Sequence, residues 1–186
     1  MDFKNCVLKD EWENGHHRRV WIDRNGRVIA DAYESYKVSR EEYLLRNECR
    51  AILVEQVAPF LNRIIVNARH GIKVRFSKNS LGKVASDKAV TKSVVNGFSV
   101  QEHFEALADL RTIFENAELV GSFPDRNNDP NVVAMHRLQN KITLSSGKNA
   151  IAYMTLKEVK KEGNRFYTLE LILEKYLRKG MEWWRR

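Results

Sequence analysis

Residues 132–175, VVAMHRLQNKITLSSGKNAIAYMTLKEVKKEGNRFYTLELILEK, decide the fold. Three runs within them, 132–147, 148–159 and 164–175, are strand-like, alternating at a period of two and carrying β-branched and aromatic residues. That is the pattern of half-buried strands. Their connections, SSGK (145–148) and KKEGN (160–164), are short, polar and contain glycine. Short connections favour antiparallel neighbours, so a meander is the natural topology. ELVGSF (118–123) adds a further strand before the linker PDRNNDP (124–130).

Upstream the period changes. In NGFSVQEHFEALADLRTIFENA (96–117), Ser99 and Glu102 form a capping-box pattern, and Phe98 sits where a hydrophobic staple would face His103. Counting about 100° per residue, His103, Leu107, Leu110 and Phe114 share one side of this helix. SREEYLLRNECRAILVEQVAPFLNRIIVNAR (39–69) also reads as helical, with Ser39 and Glu42 as its capping pair and Leu45, Cys49, Ile52, Leu53 and Val57 at helical spacing. Pro59 breaks it, leaving a second short helix through Ile64 and Ile65. GIKVRFS (71–77) is a short strand, and NSLGKVASDKAVTKSVVNG (79–97) a loop followed by a basic helix that stops at Asn96-Gly97. Nearer the start, RRVWIDRNGRVIADAY (18–33) is a hairpin turning at Asn25-Gly26.

Helices followed by antiparallel strands make an α+β fold. The expected architecture is N-terminal helices packed on a four-stranded antiparallel meander, with an extra N-terminal hairpin and helix. The expected division is a hairpin-plus-helix segment at 1–71 and a second domain at 72–186.

The 186 residues suffice for one ordinary domain core, and 43% hydrophobic with 30% charged residues indicates a soluble globular chain. Its longest apolar runs fall far short of the roughly 20 residues that span a bilayer. The mixed start MDFKNCVLKDEWENG lacks an apolar signal region. The expectation is a cytoplasmic protein, in its own cell or in a target cell after specialised delivery, with no membrane partner. Cys6 and Cys49 match neither a metal motif nor a disulfide framework, and the five histidines form no ligand cluster. No metal and no cofactor is expected. A net charge of +8 and a pI near 9.5 favour a polyanionic partner.

Candidate residues follow from the faces. His103 points inward in the first turn of its helix, where burial and the helix dipole both favour the neutral imidazole. It is either a satisfied core histidine or a general base. His136 shares strand parity with Ala134, Leu138 and Ile142, while Arg137, Gln139 and Lys141 point the other way. Tyr153, Thr155 and Lys157 form a polar face suited to an open groove, where lysine can stabilise charge on a phosphate. Tyr167 shares parity with Leu169 and Leu171, which places it inside, although tyrosine can also bind phosphate or stack on a base. RFSKNSLGKVASDKAVTKS (75–93) carries Lys78 and Lys83 and lacks the order of a Walker loop. It is either a phosphate-binding segment or a solvated basic surface. The tail YLRKGMEWWRR (176–186) interleaves aromatics and arginines, as single-strand binders do, but a docked tail helix fits it as well.

The succession FSKNSLGKVASDKAV, NGFSVQEH, LRTIFENAELV, a histidine-bearing strand, YMTLKE and RFYTLEL resembles the large polyvalent phage-protein branch of the barnase/EndoU/colicin/RelE-like (BECR) nuclease families. The resemblance covers roughly residues 72–174, and rests on order and spacing, not on one diagnostic motif. It implies a metal-independent endoribonuclease toxin or effector. RNA would be cut by 2′-hydroxyl attack with general acid and base catalysis. On this pattern His103, His136, Lys157 and Tyr167 are the catalytic candidates, and Lys78, Lys83 and Thr155 the substrate-binding ones. The implied partners are RNA, tRNA included, and an antitoxin or immunity protein. The competing expectations are a non-catalytic nucleic-acid-binding or phage structural module, and an effector that binds another protein through its N-terminal segment.

Overall fold

The computed structural model describes residues 5–13 and 16–173. The chain begins with β1 (Val7–Glu13), β2 (His16–Ile22) and β3 (Val28–Asp31), an antiparallel sheet in that order. The turn between β2 and β3 is the expected one, with Gly26 at φ 77° and Asp23 accepting from the backbone of Asn25 and Arg27. Helix α1 (Arg40–Val57) starts at Ser39, whose hydroxyl accepts from the Glu42 amide. A 3-10 turn at Ala58–Phe60 follows.

The next residues are not the second helix expected there. Asn62 adopts a left-handed φ of 63°, and Ile64–Val66 form β4, paired antiparallel with β5 (Lys73–Arg75). Two isoleucines and a valine suit an extended backbone, and the partner strand supplies the hydrogen bonds a helix would have made. The basic segment likewise forms two helices where a loop and one helix were expected. They are α2 (Lys78–Val84) and α3 (Asp87–Val95), each capped by a serine, Ser77 and Ser86. The stretch around His103 divides at Asp109 into α4 (Val100–Ala108) and α5 (Leu110–Glu115). The capping box of Ser99 and Glu102 is complete, and His103, Leu107, Leu110 and Phe114 are all buried.

Strands β6 (Glu118–Phe123), β7 (Val132–Thr143), β8 (Asn149–Val159) and β9 (Gly163–Leu173) pair antiparallel in succession. The sheet nevertheless has six strands, not four, in the order β4-β5-β9-β8-β7-β6. The addition is the β4-β5 hairpin, and β5 runs parallel to β9 at Val74 and Arg75. The fold is therefore α+β with a mixed sheet. Among the described residues no helix is long and apolar enough to cross a membrane. The tail at 176–186 lies outside the described residues.

One face of the large sheet presents Leu138, Met154, Leu156, Phe166, Leu169 and Leu171 to the helices, where they join Leu53, Leu107, Leu110 and Phe114 in one core. That core also holds Val57 and Ile65 from before residue 72. Past Arg165, the edge of β9 opposite β8 has no strand beside it among the described residues. Helix α3 covers this edge: Ser93 Oγ accepts from the Leu171 amide at 2.9 Å, and the Asn96 amide donates to the Leu171 carbonyl at 2.9 Å. Side-chain pairing of an exposed ladder in this way removes a site for stray strand addition.

Asn67 locks the hairpin to the helical layer. Its buried side-chain amide donates to the carbonyls of Phe114 and Ala117 at 2.7 and 2.8 Å, and its oxygen accepts from the His70 amide at 2.8 Å. Asn67→Ala strands two buried carbonyls and should cost about 2–3 kcal/mol in urea unfolding. A loss below about 0.5 kcal/mol would show that the joint does not depend on this side chain.

Candidate functional site

The second face of the large sheet is polar where the strand register brings its inner strands together. Arg137 of β7, Thr155 of β8 and Thr168 of β9 form one cross-strand row. The next row is Phe123, Met135, Lys157, Arg165 and Arg75, one residue from each of five strands. Between these rows β9 carries a bulge. Thr155 pairs with Thr168 and Leu156 with Phe166, so Tyr167 is the extra residue. A bulge re-aims a side chain. Tyr167 leaves the parity of Leu169 and Leu171, contrary to the alternation read from sequence, and stands 37% exposed on the polar face.

Over this face lies an open cleft of about 540 Å³ between the large sheet, the start of α3 and the N-terminal sheet. Its described lining includes Arg18, Lys83, Lys88, Lys92, Arg126 and Arg137 against the carboxylates Asp31 and Glu34. Arg18 Nε donates to Asp31 at 3.2 Å, and Lys92 Nζ lies 3.4 Å from Glu170 and 5.0 Å from the Tyr33 ring centre. Lys83 and Lys157 each lie 5.9 Å from the Tyr167 ring centre, and Lys157 also reaches Asp129 at 3.4 Å. Arg137 is mostly buried beneath the cleft, and its Nε has no hydrogen-bond partner among the described residues. Burial pushes its basicity down, and the charge of Arg126 adds to this. It stays a guanidinium, so an anion in the cleft would meet a desolvated cation. Ser86, the cap of α3, and Lys88 in the first turn add a helix start to the same wall.

Glu170 is sealed beneath the cleft by two elements, α3 and β2. Its carboxylate receives Lys92, the Asn96 amide at 2.9 Å and His17 Nδ1 at 2.9 Å, while His17 Nε2 meets Asp10 at 2.8 Å. Burial alone would raise the Glu170 carboxyl, but the Lys92 charge and the His17 and Asn96 bonds hold it far below the usual range. Burial alone would lower His17, but its bonds to Asp10 and Glu170 raise it. The N-terminal sheet is thus pinned to the large sheet through an ion network, and this brings Arg18 to the cleft.

The histidines singled out by sequence are elsewhere. His103 is 0% exposed. Its Nε2 donates to the Val84 carbonyl at 3.1 Å, and its Nδ1 accepts from Ser93 Oγ at 2.8 Å. A carbonyl only accepts, so the ring is the Nε2–H tautomer. It ties α4 to the end of α2 and to the serine that covers β9. His136 lies in the row with Leu156 and Phe166, on the helix side of the sheet, between Ser122 Oγ at 2.8 Å and Glu158 at 3.0 Å. Neither histidine lines the cleft. Of the other candidates, Lys83, Thr155 and Tyr167 line it and Lys157 adjoins Tyr167, whereas Lys78 is exposed at the start of α2, outside the lining. Sequence reading missed Arg18, Arg126 and Arg137. The available signal was an arginine in the middle of the inner strand β7, on the parity opposite to Leu138. Among the described residues no cluster of three or more His, Cys, Asp or Glu could hold a metal ion.

Burial drives the His103 imidazole down to about 4, outweighing the Val84 bond. The unfolded chain therefore binds the proton first. The contribution of this residue to stability is complete above pH 6.5 and falls as pH drops towards 4, by on the order of 3 kcal/mol. An NMR titration should show a neutral His103 ring at pH 5, and a midpoint near 6.5 would contradict the sealed geometry.

A family model described as large polyvalent protein-associated domain 3 matches residues 46–167. The match holds the cleft residues from Lys83 to Tyr167 and leaves out the N-terminal sheet with Arg18. Comparisons with curated proteins and with solved structures give no match. With well over half of its length matched, the chain belongs to the large polyvalent protein-associated domain 3 family.

Proposed function

We propose that this chain binds RNA, holding the phosphate backbone in the cleft between its two sheets. The observation that carries this reading is the convergence of Arg18, Lys83, Lys88, Lys92, Arg126 and Arg137 on one open cleft whose opposing lining carboxylates are Asp31 and Glu34. Arginine offers a planar fork that matches phosphate, and each neutralised phosphate releases counterions. Tyr167 and Thr155 add hydroxyls at the floor.

Cleavage of the bound strand is the second reading. It is favoured by Lys83 and Lys157, each 5.9 Å from the Tyr167 ring centre, and by the resemblance to the BECR nucleases. In this reaction the 2′-oxygen bonds to the adjacent phosphorus and loses its proton to a base, while the phosphorus–5′-oxygen bond breaks and the leaving oxygen takes up a proton. The products are a 2′,3′-cyclic phosphate and a 5′-hydroxyl end. The two lysines and Arg137 would stabilise charge on the phosphate oxygens, Tyr167 would donate a hydrogen bond to it, and Glu34 is the exposed carboxylate of the wall. His103 and His136 have no part in this version, because neither faces the cleft. As a toxin or effector the domain would be held in check by an antitoxin or immunity protein.

The test combines binding and cleavage on one preparation. Fluorescence polarisation with single-stranded RNA should give an affinity that falls with salt, with a log–log slope of about −0.7 per phosphate contacted. Arg137→Ala and Lys83→Ala, with melting temperature retained, should each weaken binding about tenfold, while His136→Ala should not. Salt-insensitive or absent binding would overturn the RNA reading. For cleavage, RNA incubated in EDTA should yield cyclic-phosphate ends that Lys157→Ala and Tyr167→Phe reduce at least tenfold. Binding without cleavage of any RNA, tRNA included, leaves a binding module.

A further inference from the structure

Beside the large cleft lies a second cavity of about 190 Å³ with a different lining. Arg126, Arg137 and Tyr167 belong to both and form the wall between them. On its far side the small cavity is bounded by Phe123 and Met135, which face each other across β6 and β7. Asn127 of the connecting loop adds a polar side chain. The aromatic wall is built in. A Cβ at Gly121 would sit 3.0 Å from the Phe123 ring, so the missing side chain lets the ring fold back along its own strand. Gly121 pairs with Arg137, which brings this ring beside the guanidinium.

We propose that this cavity receives one nucleobase of a single-stranded RNA whose phosphate lies in the large cleft. Phe123 and Tyr167 offer π faces, Met135 a polarisable contact, and the two arginines stand where the base joins the backbone. Aromatic faces beside a cationic track are what single-strand binding requires, since stacking accepts any base while the cations follow the phosphates. The inference rests on the reading of the cleft as a phosphate site.

The experiment titrates the full chain with labelled 2′-O-methyl oligoribonucleotides, which cannot undergo 2′-oxygen attack, and with an abasic oligomer of the same length and charge. Base-bearing oligomers should bind about tenfold or more tightly than the abasic one. Phe123→Ala should remove that difference and leave abasic binding unchanged. Phe123→Trp should keep it, and Gly121→Ala, which displaces the ring, should diminish it. Equal affinity of the native chain for base-bearing and abasic oligomers overturns the base site while the phosphate site stands. If no oligomer binds, abasic included, both fail together.

Discussion

A carboxylate sealed under the polar face of the sheet, Glu170, is the constraint on which the arrangement around the cleft depends. Removing an ion from water costs several kcal/mol, so the charge must be met by partners with good geometry. Those partners come from separate parts of the chain: Lys92 and Asn96 at 3.4 and 2.9 Å from α3, and His17 at 2.9 Å from the N-terminal sheet. Asp10 then completes His17 and also accepts from Arg19, whose guanidinium donates to the Val95 carbonyl at the end of α3. The chain of bonds closes on itself. It places the N-terminal sheet by charge, and Arg18 and Asp31 reach the cleft as a consequence. The sign of each shift bounds the range in which the joint holds. The lowered Glu170 contributes above its unfolded value and loses its contribution as pH falls through the folded one; the raised His17 contributes below its unfolded value and loses it as pH rises through the folded one.

The same sheet separates two kinds of chemistry by parity. On the helix side His136 shares a row with Leu156 and Phe166, and His103 is a neutral link between helices. On the other side Arg137 and Tyr167 line the cleft and Lys157 adjoins the Tyr167 ring. The inward reading of both histidines holds as geometry, and neither ring lines the cleft. An inward side chain in an α+β layer faces the helices, whereas a groove forms on the face that the helices leave open. Tyr167 shows the opposite case. Strict alternation puts it inside, and one extra residue in β9 turns it out.

Local rules were readable wherever a local bond decides the outcome. The capping serines at 39 and 99, the Asn25-Gly26 turn and the long alternating strands are each set within a few residues. The missed elements depend on distant partners. Ile64–Val66 become a strand because Lys73–Arg75 pair with them, and that hairpin joins the sheet because Val74 and Arg75 pair with β9 some ninety positions later. The cleft is non-local in the same sense, with walls from β2, β3, α2, α3, β7, β8, β9 and the connection before β7.

What the sequence by itself determined is the α+β class, the basic charge, the helix starts at Ser39 and Ser99 and the strand period, because each follows from spacing and residue type over short range. The tertiary structure alone decided which polar side chains share a cleft. Arg18, Lys83, Arg137 and Tyr167 are brought together by strand register, by a bulge and by a buried ion network, and none of these is encoded by proximity along the chain.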